Sequence, residues 1–181
     1  MNDKFSVFFV HSKLEGGGCA MKRILCIGEL LIDFYTTELE MSLGEAQYFE
    51  KQAGGAPANV SAAIARLGGT SYFCGKVGDD AFGHFLQQTL HQVGVNTAHL
   101  IFDKNSPTTL AFVSRQADGE RDFIFNRGAD ELLAIENLDV QSLIEMEMIH
   151  FGSATALLSE PFYRTYEQLL QTFSLQDSFI S

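Results

Sequence analysis

Four residues in the first third of the chain are of types and spacings that could do chemistry together. In AGGAPANVSAAIARLGG (Ala53–Gly69), Gly54 and Gly55 leave the backbone bare of Cβ atoms just before a helix start. A bound group can therefore approach the unpaired N–H donors found at such a start. Asn59 adds a side-chain donor and acceptor to the same space, which suits neutral hydroxyls. Asp33 follows Gly28-Glu29-Leu30-Leu31-Ile32, an acid in an apolar setting, where an ionised carboxylate can accept two hydroxyl protons. The chemistry implied is recognition of a polyol. The turn is neither GxxxxGK[ST] nor GxGxxG, and Ala56 stands where a phosphate-binding lysine would be useful, so nothing here marks a phosphate cradle. The same residues also read as plain structure, a tight strand-to-helix connection with a capping asparagine and a loop aspartate.

The elements that must position them are legible in the pattern. ILCIG (Ile24–Gly28) is a continuous apolar run ended by glycine, the mark of a strand covered on both faces. The next helix should start near Pro57 and end at Leu67, with Gly68 or Gly69 as its left-handed cap. Val60, Ala63, Ile64 and Leu67 form one stripe, and Ala58, Ala62 and Ala65 extend it into an expectation of a buried helix. SYFCGKVG (Ser71–Gly78) is a second strand. Asp79 or Asp80 then caps a helix carrying Phe82, Phe85, Leu86, Leu90 and Val93, stopped by Gly94. TTLAFVSRQADGERDFIFNR differs, because two β-rich runs flank Ala117-Asp118-Gly119-Glu120 and Asp-Gly marks a hairpin. A short helix around Val140–Met146, a strand over Met148–Phe151 and a helix from Pro161 to Thr172 capped by Ser159 restore the alternation. Phe179-Ile180 reads as the opening of another strand, after a turn at Asp177-Ser178. Such units specify an α/β fold with a mainly parallel sheet flanked by helices, its ligands collecting at the carboxyl ends of the strands, and the hairpin as a small β lid.

Composition narrows the function classes. A chain of 181 residues has the length of one domain, able to bury roughly 70% of its unfolded surface. The net charge of -11 argues against nucleic acid as a partner, and no apolar run is long enough to indicate a membrane span. Cys19, Cys26 and Cys74 form no CxxC pair, which fits a reducing cytoplasm, and Cys26 and Cys74 read as buried small hydrophobes. Residues 1–20 carry no sustained signal-peptide pattern and read as a disordered tail or misplaced start ahead of residues 21–181. His84 and His91, seven apart on one helix, lack a third metal ligand, and His150 reads as a hydrogen-bonded core histidine at a strand end. Asp79, Asp80, Glu145 and Glu147 read as caps and solvated faces.

ILCIGELLIDF, AGGAPANVSAAIARLGG, GKVGDDAFG, TLAFVSRQADGERDFIFNRGAD and IHFGSA occur in the order of the ribokinase-like (PfkB) carbohydrate kinases, which the chain resembles over Met21–Gln171, fructokinases above all. The resemblance implies that Asp33, Gly54, Gly55 and Asn59 line a sugar site. It also implies a lid around residues 34–52 and 108–127 that closes over the sugar, with Ala111 facing it and Arg127 near the rim. The activity implied is transfer of the γ-phosphoryl group of ATP, with Mg²⁺, to a hydroxyl of a small sugar, fructose first and ribose or 2-keto-3-deoxygluconate as alternatives. The family's base, an aspartate in Gly-Ala-Gly-Asp, is expected beyond Ser181 together with most of the nucleotide site. Asp130 in Gly128-Ala129-Asp130 aligns instead with the end of the lid strand. The resemblance thus covers the amino-terminal half of the fold, with the sheet cut near the carboxyl terminus and the isolated chain expected to be inactive. The contrasting expectation is a non-catalytic sugar-binding module, with the lid as a homodimer surface.

Overall fold

The computed structural model describes residues 22–38, 40–115, 121–152, 154–176 and 178–181. The chain runs β1 (Arg23–Ile27), β2 (Leu31–Thr36), β3 (Phe49–Gly54), α1 (Ala56–Arg66), β4 (Thr70–Gly78), α2 (Ala81–Gln92), β5 (Asn96–Asp103), β6 (Leu110–Arg115), β7 (Arg121–Asn126), α3 (Val140–Leu143), β8 (Met148–Phe151), α4 (Phe162–Ser174) and β9 (Phe179–Ile180). Two sheets result, a five-stranded one in the order β5-β4-β1-β8-β9 and a four-stranded one in the order β3-β2-β6-β7. All four pairings of the larger sheet are parallel.

Strand β1 lies at the centre, and Leu25, Cys26 and Ile27 are fully buried because each of its faces meets a layer of helix. Leu25 and Ile27 point into a core with Leu143, Ile149, Phe162, Leu169 and Phe173 on the α4 side. Cys26 points the other way, into a core with Phe73, Val77, Leu86 and Leu90 on the side of α1 and α2. Burial pushes the Cys26 thiol up to about 12, against a hydrogen bond with Ser61, and burial alone takes Cys74 to about 12, so both stay protonated hydrophobes. The uninterrupted apolar pattern of β1 is the consequence of this double cover.

The helix ends follow local chemistry, with two departures from expectation. Asp80 caps α2, its Oδ1 accepting the N–H groups of Phe82 and Gly83 at 2.9 and 2.8 Å, and Gly94 leaves the helix at φ +90°. Ser159, expected to cap α4, does not: its hydroxyl is buried without a partner, and Pro161 occupies the cap position after a cis Glu160–Pro161 bond. Helix α1 is not the buried helix its alanines suggest. Pro57, Ala58 and Ser61 form its buried side, whereas Ala63 and Leu67 of the expected stripe are exposed. Small residues let α1 lie flat on the sheet, where Ser61 and Ser71 share a buried hydrogen bond of 2.8 Å, so the contact follows size and not hydrophobicity. Strand β5, which the sequence reading did not anticipate, is an edge strand with alternating exposure at its start. The hairpin turn Ala117–Glu120, Cys19, Asp177 and residues 1–20 lie outside the described residues.

The buried Tyr166 hydroxyl lies 2.7 Å from both the Ile27 and the Gly152 carbonyl oxygens, so α4 ties together the carboxyl ends of β1 and β8. Tyr166→Phe is expected to cost about 1–2 kcal/mol in urea unfolding with an unchanged m-value.

Candidate functional site

The smaller sheet lays a row of side chains over the carboxyl ends of the larger one. Its register places Gln52 of β3, Asp33 of β2, Ala111 of β6 and Phe125 of β7 in one line across the four strands. Paired residues in adjacent strands share a face. Ala111 is the small residue beside the acid, and the Phe125 ring beyond it is half exposed. The opposite face is consumed by packing: Phe34 stacks on Phe112 at 5.3 Å and meets Phe82 of α2 edge-on at 5.9 Å. Lys51 lies 3.6 Å from the centre of the Phe85 ring on that side. One face is thereby fixed against α2; on the other, Ala111 and Val113 are buried at 1% exposure, Asp33 is partly exposed, and Gln52 and Phe125 are exposed towards the sheet edges.

Asp33 and Gly54 touch. A Cβ at Gly54 would lie 2.1 Å from Asp33 Oδ2, so the carboxylate occupies the space that a side chain would need. Burial pushes the Asp33 carboxyl up from the ordinary carboxylate value, a hydrogen bond with Tyr35 opposes the rise, and the negative charge of Glu29 adds to it. Gly55, the residue before α1, has φ +111°, and a Cβ there would meet the Glu29 carbonyl oxygen at 2.3 Å. Both glycines of the turn are required by close approach and not by flexibility alone.

The first free N–H of α1 is already taken. Glu29, 4% exposed, accepts the Ala56 N–H on Oε1 at 2.9 Å and the Thr155 hydroxyl on Oε2 at 3.0 Å. The protein therefore supplies its own anion to the positive end of this helix. Asn59 sits one position beyond the first turn, exposed, and shares with Gly54, Leu30 and Ala58 a cleft of about 650 Å³ between α1 and α2. Gly54 touches Asp33 and lines this cleft, but Asp33 is not among the cleft's lining residues, and Ala53, which is, lies on the sheet face opposite Asp33, so the two expected sugar-binding side chains are not brought into one cavity.

The root of the ribbon formed by β6 and β7 is pinned by a second polar group. Thr108 gives its N–H and hydroxyl to Asp80 at 2.8 Å each. At Asp80 burial works to raise the carboxyl, and hydrogen bonds from Thr108, Gly83 and Phe82 outweigh it and hold the group below the usual range. Thr109 donates to the buried Asp130 and accepts the Gly128 N–H at 2.7 Å. Arg127 completes the group with Nη2 3.0 Å from Asp130 Oδ2 and Nη1 3.5 Å from the Thr155 carbonyl oxygen. Its guanidinium is engaged at the ribbon root, between the ribbon and the segment after β8. Asp130, 2% exposed, is held by this ion pair and by the Thr109 hydroxyl.

The remaining candidates scatter. His84 pairs with Asp79 at 3.1 Å and stacks on Phe102, while His91 meets Thr97 on the far turn of α2. His150 is half-buried beside Ser181, and burial lowers its pKa. Sequence reasoning missed Glu29, Thr155, Gln52 and Phe125. Only Glu29 carried a signal: an acid directly after a strand-ending glycine and before Leu30-Leu31-Ile32 must be buried, and a buried acid must find donors.

The pfkB family carbohydrate kinase model matches residues 21–180. The chain belongs to that family. Fructokinase-2 of Zea mays is 48% identical over 140 residues, covering 76% of this chain and 42% of the relative. Fructokinase of Solanum tuberosum is 45% identical over 150 residues, covering 82% and 47%. Among solved structures, an uncharacterized sugar kinase from Pyrococcus horikoshii in complex with ATP superposes with a TM-score of 0.80 at 31% identity, covering 87% of this chain and 51% of its own. The chain thus spans about half the length of the relatives it matches.

Gly54→Ala drives a methyl group into the Asp33 carboxylate. It is expected to weaken binding of a neutral sugar at least tenfold in calorimetry, with a smaller effect on thermal stability.

Proposed function

We propose that this chain is the sugar-binding and lid half of an ATP-dependent fructokinase, which transfers the γ-phosphoryl group of ATP to a hydroxyl of fructose. The observation that carries the reading is the partly exposed Asp33 carboxylate seated against the bare Gly54 backbone of the smaller sheet. A carboxylate there accepts two hydroxyl protons of one sugar, and the Asn59 amide beside Gly54 offers both a donor and an acceptor. The ribbon covers the reacting hydroxyl from water, which otherwise competes for the phosphoryl group. Arg127 and Asp130 hold the root of that ribbon. The curated relatives named as fructokinases support fructose over ribose or 2-keto-3-deoxygluconate.

The described residues do not by themselves fit a nucleotide or Mg²⁺. The α1 N-terminus is filled by Glu29, and among the described residues no group of three or more His, Cys, Asp or Glu could hold a metal ion. ATP supplies the phosphoryl group, and its contacts and the catalytic base are assigned to the half of the family's length that this chain does not span. The 181-residue chain is expected to bind fructose without consuming ATP at kinase rates in a coupled assay.

Asp33→Asn is expected to weaken fructose binding by roughly 10- to 100-fold in calorimetry, the loss of one charge-assisted acceptor. Binding needs the ionised carboxylate, so in the parent chain it should weaken as pH falls through the Asp33 pKa, raised above the ordinary carboxylate value by burial. The Asn variant should show no such dependence.

The lid is also proposed as a homodimer surface, because Phe123, Ile124 and Phe125 of β7 are 51%, 56% and 48% exposed in succession. Phe123 and Phe125 stack on one face of this edge strand and Ile124 lies on the other, so a second copy adding along the β7 edge would cover both. Ile124→Lys is expected to shift sedimentation from dimer to monomer, and an unshifted dimer would place the interface elsewhere.

A further inference from the structure

Glu29 is a buried carboxylate that hydroxyl recognition by Asp33 does not use. Taking an acid out of water costs several kcal/mol unless donors replace the lost hydration, and an apolar residue could have closed this corner without that cost. Its oxygens are divided between two elements, Oε1 on the Ala56 N–H of α1 and Oε2 on the Thr155 hydroxyl after β8. The Thr155 carbonyl faces Arg127 Nη1 at 3.5 Å, which extends the connection to the lid root. The Glu29 backbone also touches the turn, since its carbonyl oxygen lies where a Cβ of Gly55 would stand. The end of β1, the glycine turn, the segment after β8 and the lid are thus joined through the Glu29 carboxylate, the hydroxyl and carbonyl of Thr155 and the Arg127 guanidinium.

We propose that Glu29, acting through Thr155, is the positioning residue that sets the Gly54–Gly55 corner against the lid root, by its charge and its two hydrogen bonds and not by its bulk. The inference rests on the sugar-site reading above. Glu29 touches no substrate in this scheme. It acts through Ala56 and the glycines on one side and through Thr155 and Arg127 on the other. The ionisable groups near it are Asp33 with its partner Tyr35 on β2, Tyr166 on α4, and Arg127 with Asp130 behind Thr155. Asp33 feels Glu29 as a repulsion that favours its protonated form. Neutralising Glu29 must therefore lower the Asp33 midpoint while loosening the corner that holds it.

The test uses the full chain with Glu29→Gln, Thr155→Val and Thr155→Ser, read by fructose calorimetry and by the carboxyl-carbon NMR titration of Asp33. Thr155→Val should weaken fructose binding roughly tenfold, and Thr155→Ser, which keeps the hydroxyl, should restore it to within about twofold. Glu29→Gln, which keeps the shape, should weaken binding near neutral pH and move the Asp33 midpoint to lower pH. An unchanged affinity and midpoint in Glu29→Gln, or a serine variant as weak as the valine one, would overturn the proposal. If Glu29→Gln does not fold, the valine and serine pair still decides it. A parent chain that binds no fructose, in which Glu29→Gln still lowers the Asp33 midpoint, would sink the sugar reading and leave the link between the two acids standing.

Discussion

Two acids and two glycines share one corner of this molecule, and the rest of the site depends on how closely they approach. Asp33 stands where a side chain of Gly54 would be, and the Glu29 carbonyl stands where one of Gly55 would be. Like charges so near each other raise the cost of ionising both, which burial at Asp33 already increases. The corner is tolerated because Glu29 is met by an N–H at a helix start and by a hydroxyl. Asp33, partly exposed and hydrogen-bonded by Tyr35, is the acid of the pair proposed above to meet a polyol.

The larger sheet gives the corner its rigidity. Strand β1 ends at Gly28 between two helical layers, and its last residues are fully buried, so the loop carrying Glu29 leaves from a fixed point. Tyr166 holds the neighbouring end of β8 to the same point. The smaller sheet is attached differently, by aromatic packing of Phe34 and Phe112 on α2 and by polar pins at Thr108 and Thr109. A sheet anchored along one face and at its root can keep the other face free, which is what a cover over a ligand requires.

Membership in the pfkB family and a span of about half the relatives' length fit this division of labour. Asp33, the glycine turn and the ribbon of β6 and β7 all lie within residues 21–180. No described constellation takes up a triphosphate, and the positive end of α1 is neutralised from within. The acidic composition agrees, since a net charge of -11 offers no general attraction for a polyanion.

The sequence by itself determined the local elements and singled out the residues proposed above to recognise a sugar. A double-faced apolar run made β1 a central strand, Asp80 and Gly94 bounded α2, and the glycine pair marked the turn, because each of these depends on neighbours a few residues away. It misjudged α1, where alanine on every side leaves hydrophobicity without a direction, and it passed over β5, whose apolar run Leu100-Ile101-Phe102 follows a polar start of alternating exposure. Ser159 looked like a cap, but the backbone takes a different course at Pro161. Only the tertiary structure decided the parallel pairing of β2 with β6, which aligns Asp33 with Ala111, and the meeting of Glu29 with Thr155. Those contacts join residues far apart in the chain, and their geometry is set by the packing of whole layers, which no local pattern records.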